Sequence, residues 1–266
     1  MKNNIFEIRK KMLKLDTSED RLACLKNSFT GETVYIVGAG PSLKNHSKEK
    51  LVEFLSDKLT FAIKQSYDLL GDIADVHIQN FCNYKQYDYK ENNRTICPWL
   101  VFDPNHPTNI IQNGIHCDFM LPIYRNNGDM ATTISEQGDY DSMLLESSFE
   151  RPWGPGCMYE LALPLAIYMG CKKIITIGWD IGNLNAYDDG TDHILDHFYE
   201  GESKIQYMPV AMSHKELTSV VNSTKGLYYW LKEKQIELEI ISDSNPAYDG
   251  IPRIELLADI GENYEK

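Results

Sequence analysis

Residues 33–43 have the sequence TVYIVGAGPSL, and this stretch decides the fold class. Its first five residues are β-branched or aromatic, which is typical of a strand buried in a parallel sheet. Gly38 and Gly40 end that run, and a helical pattern follows from Leu43 to Leu55. A buried strand that ends in glycines directly before a helix predicts a βα unit.

The same alternation continues along the chain. Further short apolar runs predict strands at residues 59–63, 75–79, 99–102, 173–178 and 236–241. Helical patterns cover residues 157–169, which Gly170 ends, and residues 213–234, which begin with capping-box spacing. Because strands and helices alternate, we predict an α/β fold: a Rossmann-like, doubly wound, mostly parallel sheet with helices on both faces.

The chain of 266 residues is long enough for one large domain with appendages. We predict an N-terminal helical extension at residues 1–30, a single Rossmann-like domain at 31–250 and a C-terminal tail at 251–266. Polar segments at 80–94, 103–155 and 180–212 are predicted to be loop-rich, lid-like insertions. Loops held by a rigid sheet commonly carry function.

The N-terminal segment has apolar residues at helical spacing with Lys and Arg between them over residues 2–28. Two interpretations are open: an amphipathic helix packed on the domain, or peripheral contact with a membrane surface. Charges interrupt the segment, so it lacks the apolar core of a signal peptide.

Composition disfavours several classes of function. The chain has 26 Lys and Arg against 39 Asp and Glu, a net charge of −13, which disfavours a nucleic-acid partner. No apolar run approaches the ~20 residues of a membrane span. The six cysteines include no CxxC pair, which indicates free thiols in a reducing compartment. We expect a soluble cytoplasmic protein, with the inner face of the membrane as an alternative location and homo-oligomerisation left open.

The first candidate site is the loop after the first strand, together with the end of the second strand. Backbone N–H groups at a helix N-terminus can bind a phosphate, and glycine allows close approach. A dinucleotide fingerprint has a third glycine where this chain has Leu43, and an acidic residue where it has Lys64 and Gln65. The alternative is a tight strand–helix turn without a ligand.

The second candidate is the turn RPWGPG at residues 151–156, which opens the predicted helix at 157–169. A helix N-terminus there could face an anion. A loop shaped only by its Pro and Gly residues explains the pattern equally well.

The third candidate is the polar segment that follows the strand at 173–178, because ligands of doubly wound sheets bind beyond the carboxyl ends of strands. His193 and His197 are four residues apart, but no third metal ligand has a definite spacing, so no metal site is expected. A solvated acidic loop is the alternative. A fourth candidate, His214, follows Ser213, which would cap the last helix whether or not His214 has a function.

The order of these motifs resembles the family 42 sialyltransferases. The resemblance rests on GxGPSL at residues 38–43, on a glycine-containing turn before an apolar helix, and on GCKKIITIGWD at residues 170–180. It extends in order over about residues 33–250. The chain is similar also to the wider clan that includes the motility-accessory-factor glycosyltransferases and the archaeal 6-hydroxymethylpterin diphosphokinases.

The resemblance implies transfer of a sugar, a nonulosonic acid, from a CMP-type donor to a glycan or lipid-linked acceptor in a single inverting displacement. It implies a histidine base, His214 or its rival His197, and a tyrosine at the leaving phosphate, for which Tyr187 has a suitable offset. No cofactor or metal is implied. The residues expected to bind the donor are Gly38, Ala39, Gly40, Pro41, Ser42, Leu43, Lys64, Gln65, Gly154, Pro155, Gly156 and Asp180. The family usually has Asn at the positions of Ala39 and Lys64.

Two other functions are compatible with these motifs. The first is an ATP-dependent diphosphokinase of the pterin type, in which Asp188, Asp189 and Asp192 would hold Mg²⁺. The second is a non-catalytic module that binds a nucleotide or flavin.

Overall fold

The computed structural model describes residues 2–80, 85–89, 94–101, 116–124, 138–152, 156–181, 193–194, 198, 211–212, 214–241 and 245–256. Among these residues, no helix combines the length and the apolar character that crossing a membrane requires.

A single eight-stranded sheet organises the molecule. Its strands are β1 (Thr33–Val37), β2 (Leu59–Ile63), β3 (Val76–Asn80), β4 (Pro98–Val101), β5 (Phe119–Tyr124), β6 (Arg151–Pro152), β7 (Lys173–Ile177) and β10 (Glu237–Ile241). The spatial order is β10-β7-β1-β2-β3-β4-β5-β6, and neighbouring strands pair in parallel. A separate antiparallel pair consists of β8 (His193–Ile194) and β9 (Ala211–Met212). The predicted Rossmann-like α/β fold is confirmed.

Helices cover both faces of this sheet. The α-helices are α1 (Lys2–Met12), α2 (Ser18–Ala23), α3 (Lys48–Leu55), α4 (Tyr67–Leu70), α5 (Leu163–Tyr168) and α6 (His214–Glu233). On one face the larger core includes apolar residues of α1, α2, α5 and α6. On the other face α3 and α4 contribute Leu51, Leu55 and Leu70 to a second core. Two separate cores are expected when a parallel sheet is buried on both sides.

The N-terminal segment packs into the larger core. Ile5, Met12, Leu22 and Leu25 are buried there, so the apolar side of α1 and α2 is directed into the domain. The Arg9 guanidinium adds a buried ion pair to Asp118, which directly precedes β5.

Several element boundaries differ from the sequence-based expectation. The helical pattern at 43–55 is a 3₁₀ helix (Pro41–Asn45) followed by α3, because Ser47 caps a new helix start. The helix expected at 157–169 is present, although it begins with a π-helical turn (Met158–Ala162) before α5. Strands β5 and β6 lie within the segment 103–155 that was expected to be loop-rich.

Candidate functional site

The strand order reverses beside β1. From β1 the chain proceeds outward through β2 to β6, and it then returns to place β7 on the other side of β1. In open α/β sheets, ligands bind beyond the carboxyl ends of the strands at such a reversal. The first loop (residues 38–43) and the β7 loop (residues 178–181) both begin at this edge. The structure therefore brings the first and third sequence candidates together.

The first loop and the β7 loop contact each other directly. Gly40 donates its N–H to the Gly178 carbonyl at 2.9 Å. The Ser42 backbone N–H donates to Asp180 Oδ2 at 2.7 Å, and the Ser42 hydroxyl donates to Asp180 Oδ1 at 2.7 Å. The Asp180 carboxylate, which is 6% exposed as a residue, thus caps the first turn of the 3₁₀ helix. The β7 loop is also held by Asn245, whose side-chain amide donates to the Trp179 carbonyl.

This contact explains the glycines of the first loop. A Cβ on Gly40 would lie 2.4 Å from Asp180 Oδ2, and a Cβ on Gly38 would lie 2.4 Å from the Gly178 carbonyl oxygen. Glycines at such a loop allow a ligand phosphate to approach the backbone closely. In the structure the close approach is made by the protein's own β7 loop.

Two non-glycine residues at this edge have a left-handed backbone. Lys64, directly after β2, has φ +52°, and Ile181, directly after Asp180, has φ +47°. Asn27 and Gln235, which share this conformation, end helical turns, where it is ordinary. Away from the end of a helix, a left-handed backbone costs a lysine or isoleucine on the order of 1–3 kcal/mol. Backbone strain of this kind concentrates at functional sites.

Lys64 is held by a buried histidine that sequence reasoning treated only as a strand residue. His77 Nε2 lies 2.8 Å from the Lys64 carbonyl, and His77 Nδ1 lies 2.5 Å from the Tyr89 hydroxyl. The Tyr67 ring stacks on the imidazole at 4.4 Å between centroids. Burial lowers the pKa of His77 to about 3, although the hydrogen bond to Lys64 opposes that effect. A histidine between the two apolar residues of this strand, Val76 and Ile78, was the available signal.

The end of β2 is also tied to the end of β1. Gln65 and Ser66 are fully buried, and Ser66 Oγ lies 2.8 Å from the Val37 carbonyl oxygen, which it can bind as a donor. The same hydroxyl accepts the Ile63 N–H at 2.9 Å. Lys64 and Gln65, which directly precede Ser66, therefore lie near the start of the first loop.

The second candidate turn is described only in part. Gly154 and Pro155 lie outside the described residues, and Gly156 (φ +80°) precedes the π-helical turn, which packs against β2. Arg151 is fully buried, and its guanidinium donates to the carbonyls of Glu160, Ser148 and Met143. Burial lowers the pKa of Arg151 to about 10. Its N–H groups are thus directed at main-chain oxygens.

Tyr187 and His197, two of the predicted catalytic residues, lie outside the described residues. His214 is the first residue of α6, and its side chain lies outside the description. Phe198, which directly follows His197 in the sequence, does contact the first loop: its N–H donates to the Ala39 carbonyl at 3.1 Å. The pairing of β8 with β9 also brings His193 opposite Met212, close in sequence to the start of α6.

Among the described residues, one group offers three potential metal ligands. Cys97, His116 and Asp118 have ligand atoms within 4.8 Å of one another. Arg9 Nη2 lies 2.9 Å from Asp118 Oδ1 and 3.1 Å from His116 Nε2, so a guanidinium already occupies these acceptors. Burial raises the pKa of the Cys97 thiol, which disfavours the thiolate. The group precedes β4 and β5 and lies at the opposite edge of the sheet from the first loop.

A cleft of about 540 Å³ also lies away from the strand-order reversal beside β1, which we call the switch point. It is lined by Thr33, Tyr35, Lys173, Ile175, Glu239, Ile254 and Glu255. Thr33 and Lys173 begin their strands, so the cleft lies toward the amino ends, and Lys173 is paired with Glu239 at 2.7 Å. We therefore locate the candidate site at the carboxyl ends of β1, β2 and β7.

Comparison with known proteins adds no family to this description. No protein-family model matches the chain, and no curated protein matches it significantly.

Proposed function

We propose that the chain is a glycosyltransferase that moves a sugar, a nonulosonic acid, from a CMP-type donor to a glycan or lipid-linked acceptor. One observation carries the proposal. At the strand-order reversal, the first loop, Lys64, Gln65 and Asp180 meet at one edge, and two left-handed non-glycine residues lie among them. The order of motifs that resembles the family 42 sialyltransferases supplies the reaction.

The proposed reaction is a single inverting displacement at the anomeric carbon. His214, or His197 in its place, accepts the proton of the acceptor hydroxyl as the new glycosidic bond forms. The bond to the donor phosphate breaks at the same time, and CMP leaves with the electron pair. Tyr187 and a cationic group at the strand-order reversal stabilise the phosphate charge. No metal or cofactor takes part, and we propose a cytoplasmic location or the inner face of a membrane for the enzyme.

Thermal unfolding in the presence of nucleotides tests this proposal. CMP at a hundred times its Kd should add about 2.7 kcal/mol to the free energy of unfolding and raise the Tm by several degrees. ATP with Mg²⁺ and flavin mononucleotide serve as parallel probes. A shift with ATP and Mg²⁺ alone would favour a diphosphokinase, and a shift with flavin alone would favour a binding module.

Turnover supplies the second arm of the test. Sugar transfer from a CMP-activated nonulosonic acid should continue in EDTA, because a monophosphate leaving group does not require a divalent ion. Complete loss in EDTA that Mg²⁺ restores would contradict the proposed mechanism.

A further inference from the structure

A donor phosphate at the switch point needs hydrogen-bond donors or a positive charge beside it. The donors of Ser42 at the first loop are already occupied. The N–H and hydroxyl of Ser42 at the first loop both donate to Asp180. This contact places a carboxylate at the first loop of a chain whose net charge is −13. Binding an anion beside it therefore requires a nearby cation.

Lys64 is placed to be that cation. It lies directly after β2, next to the first loop, and its side chain is half-buried. Within the part of the chain that the structure describes, Lys64 Nζ has no carboxylate at ion-pair distance. Several other described lysines do have such partners, including Lys85 with Asp68 and Lys173 with Glu239.

The backbone of Lys64 is strained, and His77 holds it. A carbonyl oxygen can only accept, so His77 Nε2 carries the proton and donates to Lys64 O at 2.8 Å. Nδ1 then accepts from the Tyr89 hydroxyl. With Tyr67 stacked on the ring and no solvent exposure, the imidazole has one orientation and one tautomer.

We propose that Lys64 binds the phosphate of the donor and that His77 is a positioning residue that holds Lys64 in its left-handed conformation. This inference rests on the proposed function in locating the ligand at the switch point. It assigns a role to a buried histidine that is not among the sequence candidates but contacts one of them, Lys64. It also explains why lysine, rather than glycine or asparagine, occupies a left-handed position in this chain.

Binding of CMP and of cytidine, which lacks the phosphate, tests the role of Lys64. Lys64→Ala should weaken CMP at least 10-fold and leave cytidine within twofold, and Lys64→Arg should recover part of the loss. Lys64→Gly is the sharpest variant, because glycine adopts the left-handed conformation freely. It should keep or raise the Tm and still weaken CMP. Unchanged CMP affinity in Lys64→Ala, or equal weakening of CMP and cytidine, would overturn the assignment.

Two substitutions test His77. Phenylalanine preserves the stack on Tyr67 but has no donor for the Lys64 carbonyl, whereas glutamine keeps a donor near the position of Nε2. His77→Phe should weaken CMP roughly 3- to 10-fold without affecting cytidine, and His77→Gln should recover most of that affinity. Equal CMP affinity in the two variants, with both folded by circular dichroism, would show that His77 does not act through Lys64.

The wild-type protein separates this inference from the proposed function. If it binds another nucleotide instead of CMP, and Lys64→Ala weakens that binding, the proposed donor is wrong and the role of Lys64 stands. If it binds CMP with an affinity that does not depend on Lys64, the proposed function stands and this inference fails. Binding of no nucleoside mono-, di- or triphosphate would overturn both.

Discussion

Asp180 and Gly40 together define the geometry of the first loop. The carboxylate oxygen Oδ2 lies where a side chain at position 40 would begin, and it accepts the Ser42 N–H from the same position. The backbone of Gly40, with φ −69° and ψ 159°, is one that any residue adopts. The requirement for glycine there is therefore steric, and it comes from Asp180 and from the Gly178 carbonyl oxygen, which would lie 2.6 Å from the same Cβ.

Because Gly40 and Asp180 are in contact, we predict non-additive effects of substitutions at these two positions on the free energy of unfolding. Gly40→Ala should cost about 1–3 kcal/mol by overpacking. The cost should fall in part when Asp180 is replaced by alanine, because the contact with the Gly178 carbonyl oxygen remains. Gly31 is the matched control, because it has φ +84° and a Cβ added to it would meet nothing within 4 Å. Gly31→Ala and Asp180→Ala should add. Urea unfolding of the single and double variants gives the free energy of unfolding for both pairs of positions. Effects of Gly40→Ala and Asp180→Ala that add within about 0.5 kcal/mol would contradict a steric contact between these two residues.

The identity of the base is a second prediction at the scale of residues. A general base contributes about 10²–10⁴-fold, so replacing it should lower turnover by that factor with little change in donor affinity. We expect this result for His214→Ala and a smaller one for His197→Ala. Turnover and CMP affinity measured side by side distinguish them. Retention of more than about a tenth of wild-type turnover by both variants would eliminate both histidines as the base.

Among the elements, α1 depends on one buried ion pair. Arg9 donates from Nε and Nη2 to the two oxygens of Asp118, and Asp118 also accepts the Cys97 N–H at 2.8 Å. Burial by itself would raise the pKa of Asp118, but its contacts with His116 and Arg9 and the charge of Arg9 hold the pKa below its usual value. The amphipathic pattern of α1 is thus supplemented by a specific polar contact with the start of β5.

Removal of Arg9 should loosen α1. Arg9→Met preserves much of the side-chain volume but leaves Asp118 buried without its partner, which should cost about 3–5 kcal/mol. Hydrogen exchange should accelerate in α1 more than in β1. Lys10→Met is the control, because its pair with Glu7 is exposed and contributes at most about 1 kcal/mol. Equal stability of the two variants would show that the ion pair does not hold α1.

For the whole molecule, His77 predicts how stability depends on pH. Its pKa is about 3 when folded against about 6.5 when unfolded, so below pH 6.5 the unfolded chain binds the extra proton. Stability should therefore fall as the pH is lowered through that window. From pH 7 to pH 5 the contribution of this group is roughly 2 kcal/mol. Asp118 acts in the same direction at lower pH, because its folded pKa is depressed.

Denaturant unfolding of the wild-type protein and His77→Gln at pH 7 and pH 5 measures this contribution. The variant lacks the titrating imidazole, so its loss of stability between the two values should be smaller by about that amount. Identical pH dependence in the two proteins would mean that His77 does not titrate as described.

The sequence by itself determined the elements whose signals are local. The runs at β1, β2 and β7, the glycines after β1 and the helical pattern of α6 each lie within a few consecutive residues, where periodicity and turn chemistry act. Strand β5 lacked such a signal because Pro122 interrupts an irregular apolar run, and proline is unusual inside a strand. Its pairing with β4 from Pro98 to Val101 compensates for that weakness.

Only the tertiary structure decided how the candidate site is assembled. Ser42 and Asp180 are 138 residues apart, and His77 meets the Lys64 carbonyl across neighbouring strands. No local pattern specifies such contacts, because they depend on which strands become neighbours and in what register. The sequence therefore located the switch-point loops, whereas the packing of β7 beside β1 and of β3 beside β2 determined which groups remain available to a ligand.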